Sequence, residues 1–265
     1  MELLRGLLAD LRASRELAWR LAVRDLRVQY RQSYLGYLWA FISPLANTAA
    51  WMFLNASGVI KVADTGIPYP AYVFSGTMLW QLLVESFQSP LQQLGAAKGM
   101  LAKLNFPREA IIMSGFIKIL SSAGIKLVIL LPALLLLGVT PDWHLVLVPF
   151  AMLLLVITGI ALGLLVAPLG MLYTDIGRAI PLAAQFAMYI TPVVFAMPAQ
   201  GRMARILELN PATPLILTAR AWLTGAESPM LGYFIGVCTT MLVLLFLGLL
   251  LYRITMPLLI ERLNS

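Results

Sequence analysis

The stretch 24–44, RDLRVQYRQSYLGYLWAFISP, passes from an arginine-rich amphipathic segment straight into a long apolar run. A core helix of a water-soluble domain rarely begins this way. A helix that lies on an anionic membrane face and then enters the bilayer should, because arginines favour the headgroups and the apolar run favours the acyl chains. The composition agrees. Of 265 residues, 60% are hydrophobic and 12% charged, against about 25% charged in an ordinary soluble domain. The mean hydropathy is +0.87.

A membrane-crossing helix needs about 20 apolar residues. Six segments qualify, roughly 35–60, 70–94, 109–139, 143–172, 179–197 and 230–252. Turn or charge signals fill each gap. The chain therefore reads as a single all-α membrane domain. It has a cytoplasmic interfacial region over 1–33 with an amphipathic helix, a six-span core over 34–256, and a cytoplasmic tail over 257–265. The outer segment 198–229 is too long for a plain turn. Leu209-Asn210-Pro211 and the run 214–223 suggest short helices that dip into the membrane from outside. Non-helical backbone at that depth is tolerated only against protein or a wet cavity.

The net charge of +7 does not point to nucleic acid, because the cations cluster beside the apolar runs. Of 19 Lys and Arg, seven fall in the first 31 residues. With the N-terminus in the cytoplasm, Lys98, Lys103, Arg108, Arg178, Arg253 and Arg262 join them on the inner side. The outer side holds Lys61, Arg202, Arg205 and Arg220, while Lys118 and Lys126 lie inside the third span. This bias sets both termini inside. Acids and arginines also break up residues 1–30, so no cleaved leader is expected.

Several kinds of chemistry lack their residues. There is no G-x-x-x-x-G-K-[ST] phosphate loop, no H-E-x-x-H, no C-x-x-C and no G-x-S-x-G. The single cysteine, Cys238, sits in an apolar run, and the single histidine, His144, cannot build a multi-histidine metal site. No catalytic residue, metal or cofactor is expected on the chain. That pattern points to moving or holding a substrate.

Four constellations remain. At 100° per residue, Trp19, Ala22, Val23, Leu26 and Tyr30 share one face of the N-terminal helix, flanked by Arg20, Arg24, Arg27 and Arg31. This is an interfacial helix that serves as an anchor alone or also as a docking surface. The loop 95–109, GAAKGMLAKLNFPRE, carries three cations beside Met100, Leu101, Leu104 and Phe106. It suggests a short amphipathic helix for a groove on a cytoplasmic partner. In the first span Tyr37, Phe41, Pro44, Thr48, Trp51 and Asn55 form one stripe. Such a stripe suits either a path for an amphiphile, with sugar C–H faces on the rings, or helix packing. In the third span Ser114, Lys118, Ser121, Ser122 and Lys126 share one side. A lysine at mid-bilayer costs at least about 2.5 kcal/mol, so this face is expected to border a polar conduit. Glu85 and Lys118 are candidates for an intramembrane ion pair.

Four blocks carry a resemblance. Ser33-Tyr-Leu35-Gly36-Tyr-Leu38-Trp39 with Pro44 resembles the S-x-LG-x-LW…P signature of ABC-2 type polysaccharide exporter permeases. Phe74-Ser75-Gly76 with Trp80-Gln81 and Glu85-Ser86 looks like that family's second-span motif. Lys103-Leu104-Asn105-Phe106-Pro107-Arg108-Glu109 is similar to its K-x-x-FPRE coupling loop, the most specific block. Leu209-Asn210-Pro211 with Arg220 matches an outer NP…R element. The family's Arg-Asp after the fourth span is here Thr174-Asp175, with Arg178 nearby.

The resemblance implies half of a transporter in the bacterial inner membrane. Two copies form the pathway, and two separate ATP-binding cassette subunits, which bind ATP and Mg, dock beneath. The substrate is a lipid-linked polysaccharide such as O-antigen, teichoic acid or capsule, with O-antigen foremost. Met100, Leu101, Lys103, Leu104, Phe106, Pro107 and Arg108, with Arg24, Arg27 and Arg31, would couple to the ATPase. Tyr37, Phe41, Thr48, Trp51, Asn55, Lys118, Ser122 and Lys126 would line the path. The alternatives are export of another amphiphile, a drug or a lipid, or a membrane glycan-assembly enzyme or scaffold that transports nothing.

Overall fold

A computed structural model of the chain describes residues 2–31, 34, 38–59, 63–103, 108–140, 142–198, 200–228 and 230–264. Among the described residues all regular structure is helical. In chain order the helices are α1 (Glu2–Arg31), α2 (Trp39–Ala56), α3 (Tyr69–Lys103), α4 (Glu109–Leu136), α5 (Val148–Leu172), α6 (Thr174–Tyr189), α7 (Arg202–Leu209), α8 (Ala212–Thr224) and α9 (Leu231–Asn264). A 3-10 turn, Trp143–Leu147, leads into α5 after Asp142 caps it through the Trp143 amide.

The core forms around α5, which packs on α3 along one side and on α9 along another. A helix that is apolar all round belongs inside a bundle, and α5 has that character. Its contact with α3 is close because Gly159 and Gly163, four residues apart, expose bare backbone. A Cβ on Gly159 would come within 2.7 Å of the Leu83 carbonyl oxygen and 2.9 Å of the Phe87 nitrogen. This is the small-residue contact by which helices approach in lipid. Gly159→Leu is therefore expected to lower resistance to denaturant by about 1–3 kcal/mol, the range for overpacking. Denaturant titration of the purified protein measures it.

Among the described residues three helical segments are long and apolar enough to cross a membrane: Glu109–Leu136, Trp143–Leu172 and Leu231–Leu259, with mean hydropathies of 2.2, 2.8 and 2.6. The outward faces of α4 and α9 carry apolar side chains, among them Val128, Leu136, Ile235, Val243 and Ile254. Apolar surface on this scale marks contact with lipid or another protein.

The elements depart from their expected bounds at three places. The expected short helix within 95–109 is not separate: α3 runs on to Lys103. Leu94, Ala97 and Leu101 stay in register on its buried side, and that packing overrides the loop signal of Gly95 and Gly99. The fifth segment begins earlier and ends sooner, as α6, because the residue before Pro192 is steered out of helical conformation. The last helix continues through Pro257, so the expected tail is helical to Asn264.

The helix α1 packs on α4, and over 13–28 its buried residues are the small Ser14, Ala18 and Ala22. Ala22, expected on the lipid face with Trp19, is thus buried, while Trp19 is exposed. The basic flank is outward: Arg20, Arg24 and Arg27 are exposed.

Candidate functional site

Two polar assemblies are built into this apolar bundle. The first joins α3 to α4. Lys126 Nζ donates to Glu85 Oε1 and Oε2, both at 2.8 Å, and to Ser122 Oγ at 2.9 Å. Ser122 Oγ donates in turn to Glu85 Oε2 at 2.8 Å. Ser122 and Lys126 are one helical turn apart, which lets both reach a single carboxylate. The Lys126 side chain is 2% exposed and that of Glu85 is 42% exposed. All three ammonium donors have acceptors, so the lysine is neutralised in place.

The expected Glu85–Lys118 pair is not formed. Glu85 takes Lys126, and Lys118 Nζ lies 3.6 Å from Asp25 Oδ2 on α1. The two lysines are eight residues apart, about 12 Å along the axis at 1.5 Å per residue. The crossing of α3 and α4 brings the deeper one opposite Glu85.

The second assembly holds the unwound chain after α6. Here five carbonyls between Ile190 and Phe195 leave helical pairing, and side chains from α3, α8 and the link between α7 and α8 collect them. Arg220 on α8 donates from Nη1 to the Pro192 oxygen at 3.0 Å and from Nη2 to the Val193 oxygen at 2.6 Å. Its guanidinium lies 3.6 Å over the Tyr72 ring, a cation–π contact. The Tyr72 hydroxyl donates to Phe195 O at 2.9 Å, and that of Tyr69 to Val194 O at 3.1 Å. Asn210 Nδ2 donates to Ile190 O at 2.9 Å, while its Oδ1 accepts from the Ala212 amide and starts α8. Gly76 makes room: a Cβ there would fall on Arg220 Nη2 and the Val193 oxygen. The segment 198–229 thus forms two short helices, as expected, and the unwound stretch before it is buried against protein at 191–194. Arg220 and Asn210 were legible as a motif. Tyr69, Tyr72 and Gly76 were not assigned to it.

The stripe on α2 faces inward. Phe41 meets Phe74 edge to face at 5.9 Å, and Trp51 lies 6.4 Å from Tyr189. Thr48 is buried, and its hydroxyl donates to the Pro44 carbonyl of its own helix at 2.8 Å. Asn55 is half-buried, and Tyr37 lies outside the described residues. The exposed aromatics of α2 are Trp39 and Phe53, on its other side.

Of the residues expected at the ATPase contact, Arg24 and Arg27 are exposed and Met100 is half-buried. Leu101 is 4% exposed within the chain's own core, so its side chain is not offered to a partner. Arg108 precedes α4, and its carbonyl accepts from the buried Tyr252 hydroxyl of α9 at 2.8 Å. That tie between the last helix and the loop end had no sequence signal. Leu104, Phe106 and Pro107, with the side chains of Arg31 and Lys103, lie outside the described residues.

Helices with lipid-suited outer faces around neutralised charges define a multi-pass helical membrane protein. No family model matches the sequence. The chain is similar to the O-antigen export system permease protein RfbA of Myxococcus xanthus, 26% identical over 219 residues, 81% of this chain and 83% of the relative. To the protein of that name from Klebsiella pneumoniae it is 26% identical over 244 residues, 87% of this chain and 90% of the relative. A second Klebsiella pneumoniae RfbA is 25% identical over 207 residues, 74% and 76% of the two chains. These relatives bear out the resemblance to the ABC-2 type exporter permeases that the motifs carried.

Proposed function

We propose that this chain is the transmembrane permease subunit of an ATP-driven ABC exporter that moves a lipid-linked polysaccharide, foremost O-antigen, across the bacterial inner membrane. The observation that carries the reading is likeness over most of both chains to relatives named as O-antigen export permeases. In this reading α2, α3, α4, α5, α6 and α9 cross the membrane, with both termini in the cytoplasm. The helix α1 lies on the cytoplasmic face, and α7 and α8 dip in from outside. Two copies form the pathway. Two ATP-binding subunits dock beneath and carry ATP and Mg.

The geometry gives these roles physical content. The exposed Arg24 and Arg27 present a basic surface to an acidic partner groove or to headgroups. Met100 and Arg108, with Lys103, Leu104, Phe106 and Pro107 between them, transmit closure of the ATPase pair. Arg108 passes it on to α9 through Tyr252. The half-exposed Glu85 carboxylate can accept sugar hydroxyls while Lys126 holds its charge. The Trp51–Tyr189 pair and Asn55 offer ring faces and an amide to a passing glycan.

Purifying the full chain from its own cells is expected to bring down a nucleotide-binding subunit with ATPase activity. Arg108→Ala and Phe106→Ala are expected to lower that association about tenfold or more, as loss of an interface anchor does. Purification without ATPase activity would contradict the proposal.

A further inference from the structure

A cavity of about 410 Å³ opens between α1, the last turns of α3 and the first turns of α4. Its wall is apolar at Leu21 and Met100, and polar at Arg24, Asp25, Gln93, Ser114 and Lys118. Neither the Glu85–Lys126 cluster nor any residue of the α2 stripe lines it.

The polar wall is incomplete by itself. Ser114 is 2% exposed, and its Oγ has no hydrogen-bond partner among the described residues. Buried hydroxyls nearly always have one. Lys118 Nζ has Asp25 Oδ2 at 3.6 Å as its ion partner, too far for a hydrogen bond. Asp25 Oδ1 is already taken by Arg24, through Nε at 3.0 Å and Nη2 at 2.9 Å. Two cations therefore share one carboxylate, and the cavity keeps one uncompensated positive charge beside an unfilled donor.

We propose that this cavity binds the phosphodiester headgroup of one membrane phospholipid. Lys118 and Arg24 face the phosphate, and Ser114 Oγ and the Gln93 amide donate to its oxygens. The acyl chains leave past Leu21 and Met100. One phosphodiester carries the single negative charge that the site lacks. A diphosphate carrier would bring more charge than the site offsets, and Asp25 would repel it. The lipid thereby bridges α1 to α3 and α4. The inference rests on the placement of α1 and α4 in the membrane given above, and not on which substrate is exported.

Native mass spectrometry of the full chain in detergent tests it, with titration by phosphatidylglycerol, phosphatidylethanolamine, diacylglycerol and inorganic phosphate. One phosphatidylglycerol or phosphatidylethanolamine is expected to be retained per chain, and diacylglycerol is not. Lys118→Ala is expected to lower occupancy about tenfold or more, the scale of one lost charge-assisted hydrogen bond. Lys118→Arg is expected to keep it, and Arg205→Ala, an exposed cation on α7, to leave it unchanged. Equal occupancy in Lys118→Ala overturns the proposal, as does equal retention of diacylglycerol. Filling by free phosphate at the same concentration as lipid also overturns it. If Lys118→Ala does not fold, Arg24→Ala decides, since that side chain is 60% exposed: undiminished lipid binding then contradicts the site. Glycan export by a protein that retains no lipid would overturn this inference and leave the export reading intact.

Discussion

Glu85→Ala is expected to destabilise the protein by about 3 kcal/mol, the lower end of the range for stranding a buried charge. The side chain left behind is Lys126, 2% exposed and deprived of two of its three acceptors. The reverse change is milder. Lys126→Met leaves Glu85, whose 42% exposed carboxylate can find water or another donor. The double substitution Glu85→Ala with Lys126→Met removes both charges and is expected to recover more than half of the loss, as apolar replacement of buried pairs does. Denaturant titrations of the three variants measure all of this. Equal losses for the two single variants would show that burial does not set the cost. Additive losses in the double variant would show that the pair is not coupled.

The second large effect concerns the unwound stretch after α6. Arg220→Met removes the donor to the Val193 carbonyl and one of the two donors to the Pro192 carbonyl, which keeps the Tyr72 hydroxyl at 3.3 Å. A buried unsatisfied carbonyl costs about 1–3 kcal/mol, so stranding the Val193 oxygen sets a loss of about that size. Arg220→Lys keeps the charge but not the fork, and it is expected to fall between Met and the parent. Gly76→Val acts on the same assembly from α3, because its Cβ would fall where the guanidinium and the Val193 oxygen lie. The stability of each variant, together with protease sensitivity at 190–198, reads the outcome. Parent-like resistance to protease in Arg220→Met would show that the carbonyls find other donors.

These two assemblies also show how far the sequence could be read. Apolar run length and cation placement gave the helical class, the exposed basic flank of α1 and the paired short helices before α9. The apolar segment from 109 marked the start of α4. Lys126 stood out as hard to accommodate, and Glu85 as a rare acid, yet they were not matched. Which lysine meets Glu85 depends on the crossing of α3 and α4, and a hydropathy pattern does not encode a crossing angle. Tyr72 and Arg220 are 148 positions apart (220 minus 72), and no local periodicity links them. The continuity of α3 was hidden for a different reason. Gly95, Lys98 and Gly99 look like a loop in isolation, and only the packing of Leu94, Ala97 and Leu101 makes them helix. The Gly159–Gly163 contact was not singled out in the sequence, although four-residue glycine spacing in an apolar run is a packing signal.

In the proposed function this chain carries a lipid-linked polysaccharide outward. Deleting it, then measuring surface polysaccharide and lipid-linked glycan in the same cells, tests outward transport. Loss of surface polysaccharide is expected, with lipid-linked glycan accumulating inside, both reversed by the intact chain. Normal surface polysaccharide in the deletion strain would contradict it.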